Sequence, residues 1–314
     1  YAVGKNFGSF VLNRKTWFDT TGSMVRHFSD VEDEAIDWRD PMLTFNTACY
    51  HCHISQLRKN YDPETDTYRT TWREPGINCE ACHGPGEAHN AVCRAVPEGT
   101  LPEDLHTIRW SELSVRQVND ACAPCHAKMR PVAPSFTTGD RFFDHYDLVC
   151  LENRDFYPDG RDLGENYTHT LWMMNPCVPS GMLDCVHCHT SSGRFRQKDD
   201  PSRACLQCHA RRVRHIEDHS HHQAGAEAPT CVSCHMPMTE FGRMHRSDHS
   251  FRPPCPEAAR RFGSPNACLL CHDDRSAEWA AAIVAEWHPQ SRWRPKILRE
   301  GTLVQAARRG QWDR

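Results

Sequence analysis

The stretch CEACHGPGEAH, residues 79–89, contains two cysteines, a histidine directly after the second, and another histidine six positions later. On a helical turn, positions i, i+3 and i+4 lie on one face, so Cys79, Cys82 and His83 can reach one ligand from the same side. A Cys-x-x-Cys-His unit is the attachment signature of c-type haem. Two thioether bonds hold the porphyrin, and the imidazole binds one axial position of the iron.

This motif occurs seven times in the 314 residues and uses fourteen of the 18 cysteines. Zinc is the alternative, because paired Cys-x-x-Cys units build zinc ribbons, but a zinc site has no need of a histidine after every pair. We therefore expect seven covalently attached haem c groups. The predicted thioether residues are Cys49, Cys52, Cys79, Cys82, Cys122, Cys125, Cys185, Cys188, Cys205, Cys208, Cys231, Cys234, Cys268 and Cys271. The predicted proximal iron ligands are His53, His83, His126, His189, His209, His235 and His272.

The second histidine of the opening stretch is a candidate distal ligand. Gly84-Pro85-Gly86 is expected to turn the chain sharply after His83, because glycine accepts backbone angles that other residues resist and proline fixes its own. The turn directs His89 away from its own haem and towards the iron of a neighbour. A solvated loop histidine is the alternative.

Composition and spacing predict the fold class. Only 39% of the residues are hydrophobic, and seven haems in 314 residues leave roughly 45 residues for each. We expect a mainly α multihaem cytochrome c fold with much irregular loop, in which the haems form most of the core. Residues 274–287 read as an amphipathic helix, FVLNRKTWF as a short β-hairpin turning at Asn13-Arg14, and the stretch between His126 and Cys185 as a loop-rich insert.

Three regions follow from this pattern. Residues 1–44 form an N-terminal segment with the hairpin and a distal histidine, residues 45–290 a heptahaem domain, and residues 291–314 a basic helical tail. The tail could dock an acidic partner, although a solvated helix face is the commoner explanation of such a charge run.

The text around the motifs resembles a known family. TFNTACYHCHISQLRKNYDPETDTYRTTW, INCEACHGPGEAH, DHYDLV, DCVHCHTSSGRF, CVSCHMPMTEFGRMHRSDHSF and SPNACLLCHDDRSAEWA are similar to bacterial multihaem cytochromes c with doubled CXXCH motifs, the type often followed by tetratricopeptide repeats. The resemblance runs from about Trp17 to Trp287 and implies a periplasmic or extracellular electron carrier with mostly bis-histidine haems. Family members commonly carry further motifs upstream, whereas the first cysteine here is Cys49. We therefore expect a trimmed piece of a longer protein or a chain whose leader has been removed.

Seven histidines match histidines of the family's text and are the candidate distal ligands. They are His27, His89, His145, His219, His221, His222 and His249. Adjacent His221 and His222 would point to opposite sides of an extended segment, so either both bind iron or one hydrogen-bonds a haem propionate. Met236 and Met238 are alternative axial thioethers, with packing the favoured role. Weaker candidates, expected at the surface or against propionates, are His106, His169, His215, His245 and His288.

Four cysteines lie outside the motifs: Cys93, Cys150, Cys177 and Cys255. Haem c is attached outside the cytoplasm, where disulfides persist, and an even number of remaining cysteines fits two bridges. A bridge between Cys150 and Cys177 is favoured because both lie in the haem-free insert. Free buried thiols are the alternative.

Three functional classes compete. An electron-transfer protein with six-coordinate haems is favoured, because there are enough histidines for every iron. The alternative is an oxidoreductase with one open haem site acting on a small nitrogen or sulfur substrate, although the sequence has no CXXCK variant. The third is a conducting filament of stacked copies. The expected partners are other redox proteins or copies of the same chain. The net charge of −4 argues against nucleic acid as a partner, and no apolar run is long enough for a transmembrane segment.

Overall fold

The computed structural model describes residues 53–312, with gaps at 134, 154, 164–167, 224–228 and 242–243, and the backbone of two short strands before them. The fold is mainly α-helical with long irregular connections and short strands, as predicted. Contacts divide the chain into two compact units. The first comprises Tyr1–Cys125 and Pro131–Asp147, and the second comprises His126–Arg130 and Leu148–Arg314.

The first unit combines small antiparallel strand pairs with four helices in the described part. Strand β3 pairs with β6 around the inner pair of β4 and β5. The strands are β1 (Trp17–Phe18), β2 (Met24–Val25), β3 (Ile54–Ser55), β4 (Tyr61–Asp62), β5 (Thr67–Tyr68) and β6 (Glu74–Pro75). The helices are α1 (Glu80–His83), α2 (Glu87–Ala95), α3 (Val115–His126) and α4 (Phe142–His145).

The predicted N-terminal hairpin differs from the pairing that is described. Strands β1 and β2 pair with Trp17 opposite Val25, so the connection between them is residues 19–23. The turn predicted at Asn13-Arg14 lies outside the described residues.

Helix α3 begins with a capping box, since Gln117 N donates to Ser114 Oγ at 3.3 Å and Ser114 N donates to Gln117 Oε1 at 3.0 Å. Its buried face carries Val118 and Ala123, and its C-terminal end carries the third haem motif. Two strands, β7 (Met129–Pro131) and β8 (Tyr146–Leu148), lie where the chain passes between the units.

The second unit holds the remaining described helices and one hairpin of β9 (Met238–Phe241) and β10 (Met244–Ser247). The predicted insert between His126 and Cys185 contains helix α5 and a 3₁₀ turn at Val178–Ser180. The helices are α5 (Thr168–Met173), α6 (Cys185–Cys188), α7 (Leu206–Arg214), α8 (Ile216–Ser220), α9 (Cys231–His235), α10 (Pro256–Phe262), α11 (Ala277–Trp287) and α12 (Trp293–Arg308).

Helices α10, α11 and α12 pack together at the C-terminal end of the second unit. The predicted amphipathic helix is α11, and Ser276 caps it by accepting from Trp279 N at 3.2 Å. An apolar cluster of Cys255, Ala258 and Ile297 joins α10 to α12. The basic segment after residue 291 therefore contains a helix with one buried side, and the cluster fixes the region that follows the seventh motif.

Candidate haem-binding sites

Most of the described attachment motifs lie on short helices, as their spacing predicts. Helix α6 carries the fourth motif and α9 the sixth, while the seventh begins in a 3₁₀ turn at Ala267–Leu270. A polar residue just before each of these turns caps it: Asp184, Thr230 and Asn266 accept hydrogen bonds from backbone N–H groups. These caps explain locally why the motif cysteines begin a helical turn. The cysteines of the first motif, Cys49 and Cys52, lie outside the described residues.

The second motif and the histidine that follows it are separated by the predicted turn. Gly84 has φ +76°, a backbone angle that favours glycine, and a Cβ there would lie 2.9 Å from Ile108 Cδ1 and displace the end of that side chain. Gly86 N donates to Glu80 Oε1 at 2.7 Å and helix α2 then begins, which places His89 on a helix of its own.

His83 and His89 both use Nδ1 for a backbone carbonyl. The Nδ1 atom of His83 lies 3.2 Å from Ile108 O, and that of His89 lies 2.8 Å from Leu105 O. An N–H at Nδ1 leaves the Nε2 lone pair available, which is the tautomer that a metal-binding histidine needs. Both rings therefore fit the haem-ligand role.

Three motif histidines in the second unit each lie opposite a predicted distal histidine. The ring centroids are 6.3 Å apart for His189 and His249, 6.1 Å for His235 and His219, and 6.2 Å for His272 and His222. The ring planes in the three pairs differ by 26°, 11° and 37°.

These separations are too large for direct ring stacking but match two imidazoles on one metal ion. A metal–nitrogen bond of about 2 Å, plus roughly 1.1 Å from nitrogen to ring centre, gives about 6.2 Å when doubled. In three separate histidine pairs, the distance between ring centroids lies within about 0.1 Å of this value. The donor sets therefore fit haem irons bound on both sides.

Hydrogen bonds orient most of these rings in the same way. Nδ1 lies 3.0 Å from Gly193 O in His189, 2.8 Å from Ser247 O in His249, and 2.6 Å from Ser220 O in His222. Burial lowers the pKa of His235, which the carbonyls of Phe251 and Arg252 raise in part by accepting from its ring. The rings of His189, His249 and His222 can therefore present Nε2 to a metal.

His219 is the exception to this pattern. Its Nδ1 lies 2.9 Å from Arg212 Nη1, and a guanidinium can only donate. Burial, followed by the charge of Arg212, lowers the pKa of His219 to about 4. Nδ1 of His219 therefore accepts and the ring proton lies on Nε2, so binding a metal through Nε2 requires that proton to leave Nε2 and the Arg212 contact to be released.

A buried ion-pair network holds the segment that carries His249. Arg161 donates to Asp159 Oδ2 at 2.9 Å and to Asp248 Oδ2 at 3.0 Å, and all three side chains are buried. Asn175 Nδ2 donates to the carbonyl of His249 at 3.3 Å. Because removing one partner would leave a buried charge uncompensated, this network fixes the position of His249 firmly.

The remaining distal candidates are placed differently. His221 has φ +56° at the end of α8, so its segment is not extended, and its ring stacks on Trp287 at 4.6 Å. The alternative in which both His221 and His222 bind iron from an extended segment is therefore wrong. The Nε2 atom of His145 lies 3.2 Å from Asp140 Oδ2, which occupies the nitrogen that iron would use. His27 lies outside the described residues.

His169 was expected at the surface or against a propionate, yet it is only 4% exposed on helix α5. Burial, and then the proximity of His126, lowers the pKa of His169 to about 4. His169 is thus a buried imidazole near the proximal histidine of the third motif. No signal in the sequence distinguishes it from His106, His215 and His245, all of which are exposed.

Neighbouring motifs lie side by side within each unit. In the first unit, burial and then the nearby Cys122 and Cys125 raise the pKa of the Cys82 thiol. In the second, Cys205 and Cys231 share a hydrogen bond that raises the pKa of Cys205 and lowers that of Cys231.

Contacts between neighbouring motifs continue as far as the seventh motif. Helix α9 contacts the turn Pro201–Cys205 of the fifth motif and the turn Ala267–Leu270 of the seventh. Burial, and then the proximity of His189, lowers the pKa of His126. Within the second unit, His126 therefore lies near the fourth motif, and the sixth motif contacts both the fifth and the seventh.

Cys150 and Cys177 do not form a disulfide, so the expected bridge between them is wrong. Cys150 is exposed, with Sγ 3.4 Å from Leu148 O, whereas Cys177 lies near Cys208. Cys93 contacts the ring of His89 at 3.8 Å. Cys255 is packed against Ala258 and Ile297 in the C-terminal cluster, as a small buried hydrophobic residue would be.

Met238 lies in strand β9 with 44% of its surface exposed, and its sulfur accepts from Ser247 Oγ at 2.9 Å. In the described part of the chain, no helix has both the length and the apolar character needed to cross a bilayer.

Comparisons with known proteins agree with the motif geometry. Residues 216–309 match the family model for cytochrome c552, and residues 18–84 match that for cytochrome c554 and c-prime. The chain is similar to the C-type polyheme cytochrome OmcC of Geobacter sulfurreducens, with 25% identity over 224 residues, 63% of this chain and 27% of that protein. It is also similar to the multiheme cytochrome MtrA of Shewanella baltica, with 22% identity over 246 residues, 76% of this chain and 56% of that protein.

The matched regions thus span about a quarter of OmcC and just over half of MtrA. Among solved structures, the crystal structure of the outer cell wall cytochrome OcwA is similar, with a TM-score of 0.56 and 17% identity. That match covers 88% of this chain and 68% of OcwA, and it shows a shared fold.

Proposed function

This chain belongs to the bacterial multihaem c-type cytochromes, and we propose that it carries single electrons along a row of seven covalently attached haems, mostly held between two imidazoles. Bound haem supplies a one-electron couple whose potential depends on axial ligands, burial and hydrogen bonding. The observation that carries the proposal is the recurrence of one ring separation, 6.1–6.3 Å, in three motif–distal histidine pairs.

In this proposal each pair binds one iron. His189 with His249 serves the fourth motif, His235 with His219 the sixth, and His272 with His222 the seventh. The carbonyl partners of Nδ1 in His189, His249 and His222 leave Nε2 for the metal, which supports the assignments at the fourth and seventh motifs. The assignment at the sixth motif is supported by the ring separation alone.

Two further distal ligands extend the proposal. His169, buried near His126, is assigned to the third motif. His89 is assigned to a haem other than that of its own motif, because the Gly84 turn and helix α2 separate it from His83. Its Nδ1 bond to Leu105 O leaves Nε2 for that metal.

The contact between successive motifs supports conduction rather than storage at isolated sites. Helix α9 of the sixth motif contacts both the fifth and the seventh motif turns. The chain's own contribution is to keep these attachment points close and to exclude water with the buried segment around Asp248 and Arg252. Close attachment points and the exclusion of water both favour electron transfer between the haems of neighbouring motifs.

The proposal places the protein outside the cytoplasm, in the periplasm or at the cell exterior, where haem c attachment takes place. Its partners are other redox proteins or further copies of the chain, and a filament is the form of self-assembly to be tested. Electron microscopy of purified protein distinguishes filaments from single particles.

The experiment that tests the function measures ligand binding and turnover together. We expect fully low-spin spectra and no binding of carbon monoxide by the reduced protein. With the protein on an electrode, we expect no catalytic current with nitrite, hydroxylamine or sulfite. One high-spin haem with a catalytic current for any of these substrates would instead establish an enzyme with an open site.

A further inference from the structure

Arg252 is a buried cation whose partners in the described residues are neutral. Its side chain is 3% exposed. The Nη1 atom donates to the carbonyl of Asp159 at 2.6 Å, and Nε donates to Ser250 Oγ at 3.0 Å. Among the residues that the structure describes, Nη2 has no hydrogen-bond partner.

The two nearby carboxylates are engaged elsewhere. Asp159 Oδ2 accepts from Arg161 Nη1 at 2.9 Å, and Asp248 Oδ2 accepts from Arg161 Nε at 3.0 Å. The other oxygen of Asp248 accepts from Ser250 N at 2.7 Å. Arg161 is therefore paired with both acids, whereas Arg252 lies beside that pair without a carboxylate hydrogen-bonded to it.

The Nη2 edge of this buried guanidinium lacks an acceptor, and a negatively charged acceptor would offset the cost of burial most. Burying a charge with only neutral partners costs several kcal/mol, so buried arginines are normally paired with acids. A planar carboxylate suits the free edge of the guanidinium, because both partners are planar and can form parallel hydrogen bonds.

The backbone of Arg252 lies next to the proximal ligand of the sixth motif. The ring of His235 donates to the carbonyls of Phe251 and Arg252. A group attached at Cys231 and Cys234 and bound by His235 would therefore lie beside this segment. The carboxylates that haem carries are its propionates.

We propose that Arg252 Nη2 binds a propionate of the haem attached at Cys231 and Cys234, and that Arg252 thereby positions this haem and raises its reduction potential. This inference rests on the proposed function, because it requires a haem at the sixth motif. A positive charge near the iron favours the reduced form, which carries one charge less.

The test is an EPR-monitored redox titration of the intact haem-loaded protein and of three variants. Arg252→Gln removes the charge, Arg252→Lys keeps the charge without the planar fork, and Arg260→Gln removes an exposed charge from the same unit as the control. We expect Arg252→Gln to lower the reduced-to-oxidised ratio of one haem by about tenfold at fixed potential, equivalent to about 59 mV. We expect Arg252→Lys and Arg260→Gln to leave the potentials near those of the wild type.

The shifted haem must be the one whose EPR signal changes in the His219→Ala variant, since His219 faces His235. Unchanged potentials in Arg252→Gln with a lower Tm would show that Arg252 is merely structural and overturn the proposal. A wild-type potential that depends on added phosphate would show a free anion in the site and also overturn it.

If Arg252→Gln does not fold, Arg252→Lys decides through resonance Raman spectroscopy. A displaced propionate bending band supports the contact, and an unchanged band contradicts it. A mass lacking one haem at the sixth motif would instead refute the proposed function, which keeps the two failures distinguishable.

Discussion

His222 and His221 are adjacent, yet only the replacement of His222 by alanine should change the haem spectrum. The ring of His222 lies 6.2 Å from that of His272, with Nδ1 held by Ser220 O. The ring of His221 stacks on Trp287 at 4.6 Å. Only His222→Ala removes an imidazole that lies opposite a motif histidine.

The size of the effect follows from the number of motifs. His222→Ala should make one of the seven haems high-spin, about 14% of the total, and allow one equivalent of carbon monoxide to bind the reduced protein. His221→Ala should leave the spectrum low-spin. Its cost is the loss of one aromatic contact, about 0.5–1.5 kcal/mol, seen as a modestly lower Tm.

Magnetic circular dichroism counts high-spin haem, and carbon monoxide titration counts open sites, so the two assays check each other. The reasoning would be refuted by a high-spin haem in His221→Ala, or by a wholly low-spin spectrum in His222→Ala. Haem content by mass must be equal in both variants, so that loss of a haem is not mistaken for loss of a ligand.

Three further predictions concern stability. Gly301→Ala should lower Tm, because the new Cβ would lie 2.5 Å from the Phe262 ring, and overpacking of about 1–3 kcal/mol exceeds the helix-propensity gain of about 1 kcal/mol; an unchanged Tm would contradict this. Arg308→Ala should lower the free energy of unfolding by about 1.5–3 kcal/mol or more, because its guanidinium donates to three backbone carbonyls in partly buried hydrogen bonds. Replacing the exposed Arg309 with alanine should have little effect in the same urea titration. Burial raises the pKa of Asp162 to about 7, so its contribution to stability is complete below about pH 4 and is lost as the pH rises through 7. Asp162→Asn should remove that slope from the pH dependence of the free energy of unfolding. An identical slope in the variant would show that this carboxyl is not its source.

Local features of the fold could be predicted from the sequence because they depend on neighbouring residues. The motif spacing places two cysteines and a histidine on one turn, and Ser276 marks the start of helix α11. The Gly84 turn follows from backbone angles that few other residues adopt. The hairpin position was less predictable, because turn residues occur both at Asn13-Arg14 and between β1 and β2.

The pairing of histidines depends on contacts that the local sequence does not encode. Arg161 and Asp248, which are 87 positions apart, fix the segment with His249 opposite His189. His169 resembles the surface histidines in sequence, and its burial on α5 follows only from tertiary packing. The four cysteines outside the motifs illustrate the same limit, since an even number permitted bridges that their positions do not form.

The central claim is that motif and distal histidines bind the same iron in specific pairs. An experimental structure of the haem-loaded protein at a resolution that separates both axial ligands tests it most directly. In each of three haems we expect iron bonded at about 2 Å to Nε2 of both partners: His189 with His249, His235 with His219, and His272 with His222. Irons at these motifs bound on their second side by other residues, or left open, would contradict the account.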